Sequence, residues 1–547
     1  MFKHPNGASR TARMAVACGL GISLVFGGVM APVSAFAAPS SITIKKAGDG
    51  TYKVYELFSG TFVEGDGGKQ QLTDALANPT YKDAIIEALK VYTTVTIPDG
   101  ATAAQVANTL TDAIVRVNAD SNAQKLANTL AEKLNSLAAT KTADATSGTL
   151  SITGLEEGYY LIMADPTDAD FSNSGLTSAI LTPVYPNMPE GTAKIDVPTV
   201  DKTVKDEGEA WDKEFDASAD AGLVADALSK LTYKITGTVP NNIAEFTSGV
   251  DGAHNYSMTF VDTLPTGFDT ADDELTGWNV SIMCGTHVLS KAFTASVETN
   301  NVTHTSTVKW STTDLKGALE AAGIAEVDMK NLKIEIQYTP AYDEQDLKRL
   351  FENNATLDNP QTNSVKIEFS NSPYSDGKGE TPGDETKVYS YNLNLKKVDE
   401  EGANLAGAEF TLTTTDDKTA GKQIVADSNG VFTFTGLESE VEYVLTETKV
   451  PTGMKSIDPI HFVIKATRND QGDVTQVTWK EKADPSNAAT FEATGDNDAT
   501  INVDVVNLGG PDLPITGQAG ILGGVAVGGL VLAVSAVAMV RNRRNEA

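Results

Sequence analysis

Lysines and asparagines occupy matching places in two β-rich regions of the chain. The lysines lie near the start of each region, in Pro198–Val204 and Leu393–Asp399. The asparagines lie near the ends, in Asn363–Asn371 and Val503–Asn507. A lysine and an asparagine that meet in a protein core have the atoms needed to form an amide between their side chains.

Burial supplies the chemistry for such a reaction. A lysine in an apolar core is poorly solvated as a cation, so its pKa falls and the neutral amine becomes available to attack an amide. A buried carboxylic acid stays protonated for the same reason and can hydrogen-bond and polarise the asparagine carbonyl. Neighbouring strands hold the groups together, which makes the reaction intramolecular. The product is a secondary amide, and ammonia leaves.

Three domains are expected to position these segments, with mainly β structure throughout. The second and third domains show short strands with alternating apolar residues between turn residues, which is typical of β-sandwiches. The first domain is expected to be α+β, because alanine-rich stretches with helical periodicity follow its opening strands. The expected boundaries are 40–190 for the first domain, 193–372 for the second, 373–387 for a Gly- and Pro-rich linker and 388–508 for the third.

Both ends of the chain carry export signals. Basic residues and then an apolar stretch with small residues at its end indicate a signal peptide over 1–37. Near the other end, the pentapeptide Leu513-Pro514-Ile515-Thr516-Gly517 precedes the apolar run Ile521–Val540 and a basic tail. That run is long enough for a helix to cross a bilayer, and its basic flank would stay on the cytoplasmic side.

Composition limits the function classes. The net charge of −31 and the pI of about 4.5 argue against a nucleic-acid partner, which needs a basic surface. Only Cys284 remains once the signal peptide with Cys18 is removed, so no intramolecular disulfide can form. No metal-ligand spacing or catalytic motif stands out, so we expect no cofactor and no enzymatic activity beyond the chain's own amide formation.

The C-terminal pattern resembles the cell-wall sorting signal of Gram-positive surface proteins, here spanning 509–547. The resemblance implies that a sortase cuts between Thr516 and Gly517 and joins the Thr516 carboxyl group to an amine. The expected partners are therefore a sortase, peptidoglycan and neighbouring subunits at the cell surface. A host or bacterial surface ligand is a further possible partner.

The third domain resembles the collagen-adhesin B-type domains of such proteins. The resemblance is carried by Leu393–Asp399, Leu405–Phe410, Tyr443–Thr448 and Val503–Asn507. It implies a spontaneous isopeptide bond in which Lys397 provides the amine, Asn507 the amide and Glu447 the assisting acid.

The second domain resembles the A-type domain of backbone pilins. Pro198–Val204, Phe260–Pro265 and Asn363–Asn371 carry this resemblance. It implies Lys202 as the amine, Asp262 as the acid and Asn363 as the amide. Asn371 stays open as the alternative amide, because it lies near the end of the same strand.

The whole chain is similar to fimbrial shaft subunits, with one departure. Backbone pilins carry a YPK-like motif whose lysine accepts the next subunit, whereas this chain reads Val184-Tyr185-Pro186-Asn187. The nearest downstream lysine, Lys194, is then the candidate acceptor. The resemblance implies a polymerised pilus subunit, and the alternative is a wall-anchored adhesin or minor pilin that does not polymerise.

Overall fold

The structure is a computed structural model that describes residues 40–510 with internal gaps. The gaps are 65–69, 93–96, 99, 117–119, 169–177, 194–196, 206–213, 217–230, 251–252, 266–274, 276, 301, 342–359, 415–421, 426–429, 471–472, 482–491 and 496–498. The expected signal peptide, Lys194 and the sorting pentapeptide Leu513–Gly517 lie outside the described residues. Within the described part of the chain, no helix has the length and apolar character needed to cross a membrane.

The first domain is a sheet covered by helices. Its elements are β1 (Ser40–Lys45), β2 (Gly50–Glu64), β3 (Gln70–Ala77), α1 (Lys82–Tyr92), α2 (Ala103–Arg116), α3 (Asp120–Leu134), β4 (Lys141–Thr146), β5 (Thr149–Leu155), β6 (Gly158–Ala164), β7 (Ile180–Val184) and β8 (Gly191–Thr192). The strand order is β7-β6-β2-β4-β5-β1-β8, and β3 pairs with β2. Leu126, Leu130 and Leu134 recur at helical spacing on α3 and are fully buried in the core. The expected α+β fold is confirmed.

The second domain packs two sheets around one core. Its elements are β9 (Val200–Lys205), β10 (Glu214–Asp216), β11 (Thr232–Thr238), β12 (Met258–Thr263), β13 (Asn279–Cys284), β14 (His287–Val288), β15 (Thr294–Asn300), β16 (Thr305–Thr312), α4 (Leu315–Ala321), β17 (Lys333–Thr339), β18 (Gln361–Ser370), β19 (Lys378–Glu380) and β20 (Asp384–Tyr389). One sheet has the order β14-β13-β17-β11-β9 and the other β10-β20-β18-β12-β16-β15, with β19 beside β18. Strands such as β11 alternate buried and half-buried residues, which places one face of each sheet in the shared core.

The segment expected as a linker, 373–387, differs from that expectation. It contains β19 and most of β20, and both strands pair antiparallel with β18. Tyr374 just before them is buried in the core of the first domain. Strand pairing uses backbone groups, so a polar, glycine-rich segment can extend a sheet without alternating apolar side chains. The segment therefore belongs to the second sheet and contacts the first domain.

The third domain is a second sandwich. Its strands are β21 (Tyr391–Val398), β22 (Glu409–Thr414), β23 (Lys422–Val425), β24 (Val431–Leu437), β25 (Glu442–Lys449), β26 (Ile460–Arg468), β27 (Val474–Glu481), β28 (Glu492–Thr494) and β29 (Thr500–Val506). The sheets have the orders β24-β21-β29 and β23-β22-β25-β26-β27-β28. The first and last strands, β21 and β29, are parallel neighbours. The chain thus enters and leaves this domain at opposite ends.

Candidate sites of side-chain amide formation

In the third domain, two adjacent strands and one strand of the facing sheet bring three polar side chains together. Lys397 follows Leu393 and Leu395 on the inward face of β21 and is fully buried. Asn507 comes directly after β29 and is also fully buried. The parallel register pairs Lys397 with Val505, so the lysine side chain reaches the end of the neighbouring strand. Glu447 reaches the same point from β25.

The three groups are in direct contact. The Lys397 Nζ donates hydrogen bonds to the Asn507 Oδ1 and, at 3.0 Å, to the Val505 carbonyl. The Asn507 Nδ2 donates to the Glu447 Oε1 at 3.1 Å, and that oxygen lies 4.0 Å from the Lys397 Nζ. The Ile457 N–H donates to the other carboxyl oxygen at 3.2 Å. Glu447 Oε1 therefore lies within 4.0 Å of both the amine nitrogen and the amide nitrogen.

This orientation differs from the one expected for the acid. We expected the carboxyl group to hydrogen-bond the asparagine carbonyl, whereas Glu447 contacts the amide nitrogen and the lysine contacts the carbonyl oxygen. A carboxyl group beside the leaving nitrogen can supply the proton that this nitrogen needs to depart as ammonia. Here the geometry favours proton transfer to the leaving group over polarisation of the carbonyl.

Burial shifts both titrating groups toward their neutral forms. Removal from water lowers the pKa of Lys397 to about 8, although the nearby Glu447 carboxylate opposes the shift. Burial likewise raises the pKa of Glu447 above its ordinary value, against the effects of Lys397 and of its own hydrogen bonds. A neutral amine and a protonated acid are the forms that amide formation requires.

The second domain assembles its site across both sheets. Lys202 lies on β9 in one sheet, and Asp262 and Asn363 lie on the neighbouring strands β12 and β18 of the other. All three side chains are fully buried. The Lys202 Nζ donates to the Asp262 Oδ1 at 2.6 Å. The predicted residues Lys202, Asp262 and Asn363 thus line one buried cluster.

Tyr338 connects this cluster and was not predicted from the sequence. Its hydroxyl donates to the Asp262 Oδ2 and accepts from the Lys202 Nζ at 3.1 Å and from the Asn363 Nδ2 at 2.8 Å. Its ring stacks on Trp278 with centroids 5.3 Å apart, which holds the hydroxyl in place. The available signal was the alternation of β17, which puts Tyr338 on the inward face with Ile334 and Ile336.

Burial also favours neutral groups here. It lowers the pKa of Lys202, against the attraction of Asp262, and raises the pKa of Asp262, against the attraction of Lys202. Burial and the adjacent Asp262 raise the pKa of Tyr338 well above its ordinary value, so the hydroxyl keeps its proton. Among the described atoms, the Asn363 Oδ1 has no hydrogen-bond partner. The buried amide therefore makes its observed contact through its nitrogen.

The structure separates the two candidate asparagines of the second domain. Asn371 lies beyond the end of β18, where its Nδ2 donates to the Lys378 carbonyl at 2.9 Å. Asn363, eight positions earlier in the sequence, is the one that contacts the cluster through Tyr338. Asn187, which stands where a pilin-type acceptor lysine was expected, is exposed in a turn with φ of 61°. No cluster of metal-ligating side chains occurs among the described residues.

Comparison with known proteins supports the resemblance found in the sequence. Residues 391–483 match the SpaA family model, described as a prealbumin-like fold domain. No functionally curated protein matches the chain. Residues 391–483 of the third domain are therefore similar to the SpaA prealbumin-like domain family.

Several solved pilin structures match this chain at low sequence identity. The T6 backbone pilin of serotype M6 Streptococcus pyogenes is 14% identical, with 87% of this chain and 99% of that one covered and a TM-score of 0.49. The major pilin SpaA of Corynebacterium diphtheriae is 12% identical, with coverage of 86% and 100% and a TM-score of 0.43. The fimbrial protein FimP from Actinomyces oris is 14% identical, with coverage of 86% and 98% and a TM-score of 0.43.

Proposed function

We propose that this chain is a structural subunit of a sortase-assembled surface pilus, stabilised by one Lys–Asn isopeptide bond in each β-sandwich. The observation that carries the proposal is the buried contact of Lys397, Glu447 and Asn507, which joins the first and last strands of the third domain. Burying a lysine and a carboxylic acid is costly unless the charges are neutralised or used. Conversion of the lysine to an amide removes that cost.

In the third domain, the neutral Lys397 amine attacks the Asn507 Cγ. The new C–N bond forms, one amine proton passes to Glu447, and Glu447 gives one proton to the Asn507 Nδ2. The bond from Cγ to Nδ2 then breaks and ammonia leaves, while Glu447 returns to its starting form. The proximity of Glu447 Oε1 to both nitrogens supports this transfer.

In the second domain, Tyr338 extends the same proton path. Lys202 attacks the Asn363 Cγ, and Asp262 Oδ1 takes the amine proton over a contact of 2.6 Å. The Tyr338 hydroxyl contacts both the Asp262 Oδ2 and the leaving Asn363 Nδ2, so it can pass a proton from the acid to the departing nitrogen. Ammonia leaves, and both Asp262 and Tyr338 return to their starting forms.

The position of the third-domain bond suits a load-bearing role. A pull on the two ends of the domain acts at Tyr391 and beyond Asn507. A covalent bond from Lys397 to Asn507 carries that load from β21 directly to the end of β29. The residues between them are then bypassed, and the sandwich does not need to unfold or extend. This is the property that a pilus shaft requires of each subunit.

Attachment to other molecules is proposed from the C-terminal sequence. A sortase would recognise Leu513 and Pro514, cut between Thr516 and Gly517 and transfer the Thr516 acyl group to an amine. The amine belongs either to a neighbouring subunit or to peptidoglycan. The mature protein is then exported and held covalently at the cell surface.

Intact-mass measurement of the mature chain tests the isopeptide part of the proposal. The expected mass is lower than the sequence mass by two molecules of ammonia. Peptide mapping should then recover Lys202 joined to Asn363 and Lys397 joined to Asn507. A mature chain with its full sequence mass would refute both bonds.

A second function is favoured by one observation, the exposed Asn187 where an acceptor lysine was expected. A chain without an acceptor would be a wall-anchored adhesin or minor pilin. Denaturing gels of surface material from the producing cells separate the two functions. Shaft subunits give a ladder of very large covalent species, whereas a non-polymerising protein gives only species near the size of one chain.

A further inference from the structure

Lys378 has a different environment from the other exposed lysines for which the structure gives a partner. It begins the short strand β19, and its Nζ donates to the Ser257 Oγ at 2.6 Å and to the Ser370 Oγ at 3.1 Å. Its neighbours in the sequence are Gly377 and Gly379, so no adjacent side chain covers it. Lys378 itself is exposed to solvent.

The two serines are held in place by the sheet. Ser257 and Ser370 face each other at the ends of β12 and β18, where the Ser370 N–H donates to the Ser257 carbonyl at 3.0 Å. The Ser370 Oγ accepts from the Ser257 N–H at 3.1 Å and donates to the Asn255 carbonyl at 3.2 Å. The two hydroxyl oxygens lie 2.9 Å apart. They form a rigid pair of neutral acceptors for the amine.

Neutral acceptors have a different effect from carboxylates. Lys366 on β18 is paired with Glu380 at 2.6 Å, and Lys309 on β16 is paired with Glu298 at 2.7 Å. A carboxylate partner stabilises the charged ammonium form, which cannot act as a nucleophile. A neutral amine has two N–H bonds and one lone pair. The two serine oxygens can accept both N–H bonds, which leaves the lone pair available for reaction.

Electrostatics agrees with this geometry. Partial burial lowers the pKa of Lys378, while Asp376 opposes the shift. The same direction of shift occurs at Lys202 and Lys397, but those two amines are fully buried. Within the described chain, Lys378 combines a lowered pKa with a solvent-exposed position that a large reaction partner can reach.

Its location suits a joint between two copies of the chain. Tyr374, four residues before Lys378, is buried in the core of the first domain. Lys378 therefore lies at the end of the second domain that meets the first. The chain leaves the third domain beyond Asn507, at the end away from the second domain. The described end of the chain thus lies on the opposite part of the molecule from Lys378, which favours joining different copies over closing one copy on itself.

We propose that the ε-amino group of Lys378 is the acceptor for the Thr516 acyl group of a second copy of this chain. The inference rests on the proposed pilus function. The Lys378 lone pair attacks the Thr516 carbonyl carbon of the sortase acyl-enzyme, and the bond between that carbon and the enzyme breaks. The enzyme's leaving group takes the amine proton. Overall, the Thr516–Gly517 amide is exchanged for a Thr516–Lys378 amide, and the segment that starts at Gly517 is released with a free amine.

The test is peptide mapping of high-mass surface material released from the wall of the producing cells. The expected cross-link joins Thr516 to Lys378. Lys378→Arg keeps the positive charge and the hydrogen-bond donors but supplies no nucleophilic amine, so it should lose the ladder of joined subunits. Lys366→Arg, on the adjacent strand, is the matched control and should keep the ladder. Equal amounts of monomer with unchanged thermal unfolding show that the variants fold.

The possible outcomes separate this inference from the proposed function. A cross-link from Thr516 to Lys194 or to another lysine, with a ladder retained in Lys378→Arg, overturns the assignment but leaves the shaft function standing. Wild-type material that is only wall-linked, with no lysine joined to Thr516, overturns the assignment and the shaft function together.

Discussion

Replacement of Glu447 by glutamine tests the proposed chemistry of the third domain with little change in shape. Glutamine fills nearly the same space and can still hydrogen-bond the Asn507 amide. It cannot take a proton from the Lys397 amine or give one to the leaving nitrogen. The Glu447→Gln chain is therefore expected to fold without its third-domain isopeptide bond.

The size of the stability loss follows from the length of the loop that the bond closes. Lys397 and Asn507 are 110 residues apart in the sequence. By the chain-entropy relation for cross-links, closing such a loop stabilises the folded state by ~5 kcal/mol. For a domain of ~120 residues, the unfolding entropy converts this loss to a fall in melting temperature of ~20 °C.

Two measurements on the purified Glu447→Gln protein test for loss of the bond and for the fall in stability. Intact mass should be higher than that of the wild type by one ammonia, after allowance for the substitution itself. Scanning calorimetry should show the third-domain transition at a lower temperature. The control is Glu409→Gln on the adjacent strand β22, which removes the exposed ion pair with Lys449. An exposed pair contributes at most about 1 kcal/mol, so this control should keep both the bond and the transition.

Either of two results would refute the reasoning. A Glu447→Gln chain that still loses the full two ammonia molecules would show that the acid is not needed. A chain that keeps the extra ammonia but melts with the wild type would show that the bond forms without adding stability, and the loop-closure calculation would be wrong.

Three further predictions address the remaining groups. Tyr338→Phe removes the hydroxyl that links acid and amide in the second domain, and intact mass should show that domain partly or wholly unbonded while the third domain keeps its bond. The rate of third-domain bond formation should have a bell-shaped pH dependence, because Lys397 with a pKa of about 8 must lose its proton and Glu447 must hold one. The rate of ammonia loss from the freshly translated chain checks this prediction, and a rate independent of pH would contradict it. Trace acetylation of the purified mature chain at neutral pH should label Lys378 faster than Lys366. The Lys378 amine has a lowered pKa and contacts two neutral hydroxyls, whereas the Lys366 Nζ is paired with the Glu380 carboxylate. Equal labelling by quantitative peptide mapping would count against the proposed nucleophile.

Much of the fold follows from the spacing of apolar residues, which recur every two positions in strands and about every 3.6 positions in helices. Apolar and polar residues alternate along β17 (Lys333–Thr339), and the leucines that recur at helical spacing on α3 are buried. Strands β19 and β20 were missed, because their pairing with β18 depends on backbone hydrogen bonds and leaves little trace in side-chain polarity. Short strands rich in glycine or charge look like loops in a sequence.

The sites were predicted only in part. The structure brings Lys202, Asp262 and Asn363 into one buried cluster and Lys397, Glu447 and Asn507 into another. Tyr338 was missed because an inward tyrosine on an alternating strand looks like ordinary core packing. The contact of Glu447 with the amide nitrogen was also not foreseen, because side-chain orientation depends on the neighbouring backbone.

The order of residue types already limits the chemistry open to this chain. Several features are visible in the sequence without knowledge of the fold. They are the lysines near the first strands, the asparagines near the last, a single cysteine outside the expected signal peptide and a sorting pentapeptide near the C-terminus. Reactivity cannot be read in that way, because it depends on which groups lose contact with water and which atoms meet. Lys397 and Lys378 are both lysines, yet one lies against an amide and an acid in a dry core and the other against two hydroxyls at an exposed edge. These environments are built from residues more than a hundred positions apart, so only the folded chain sets the pKa and the partner of each amine.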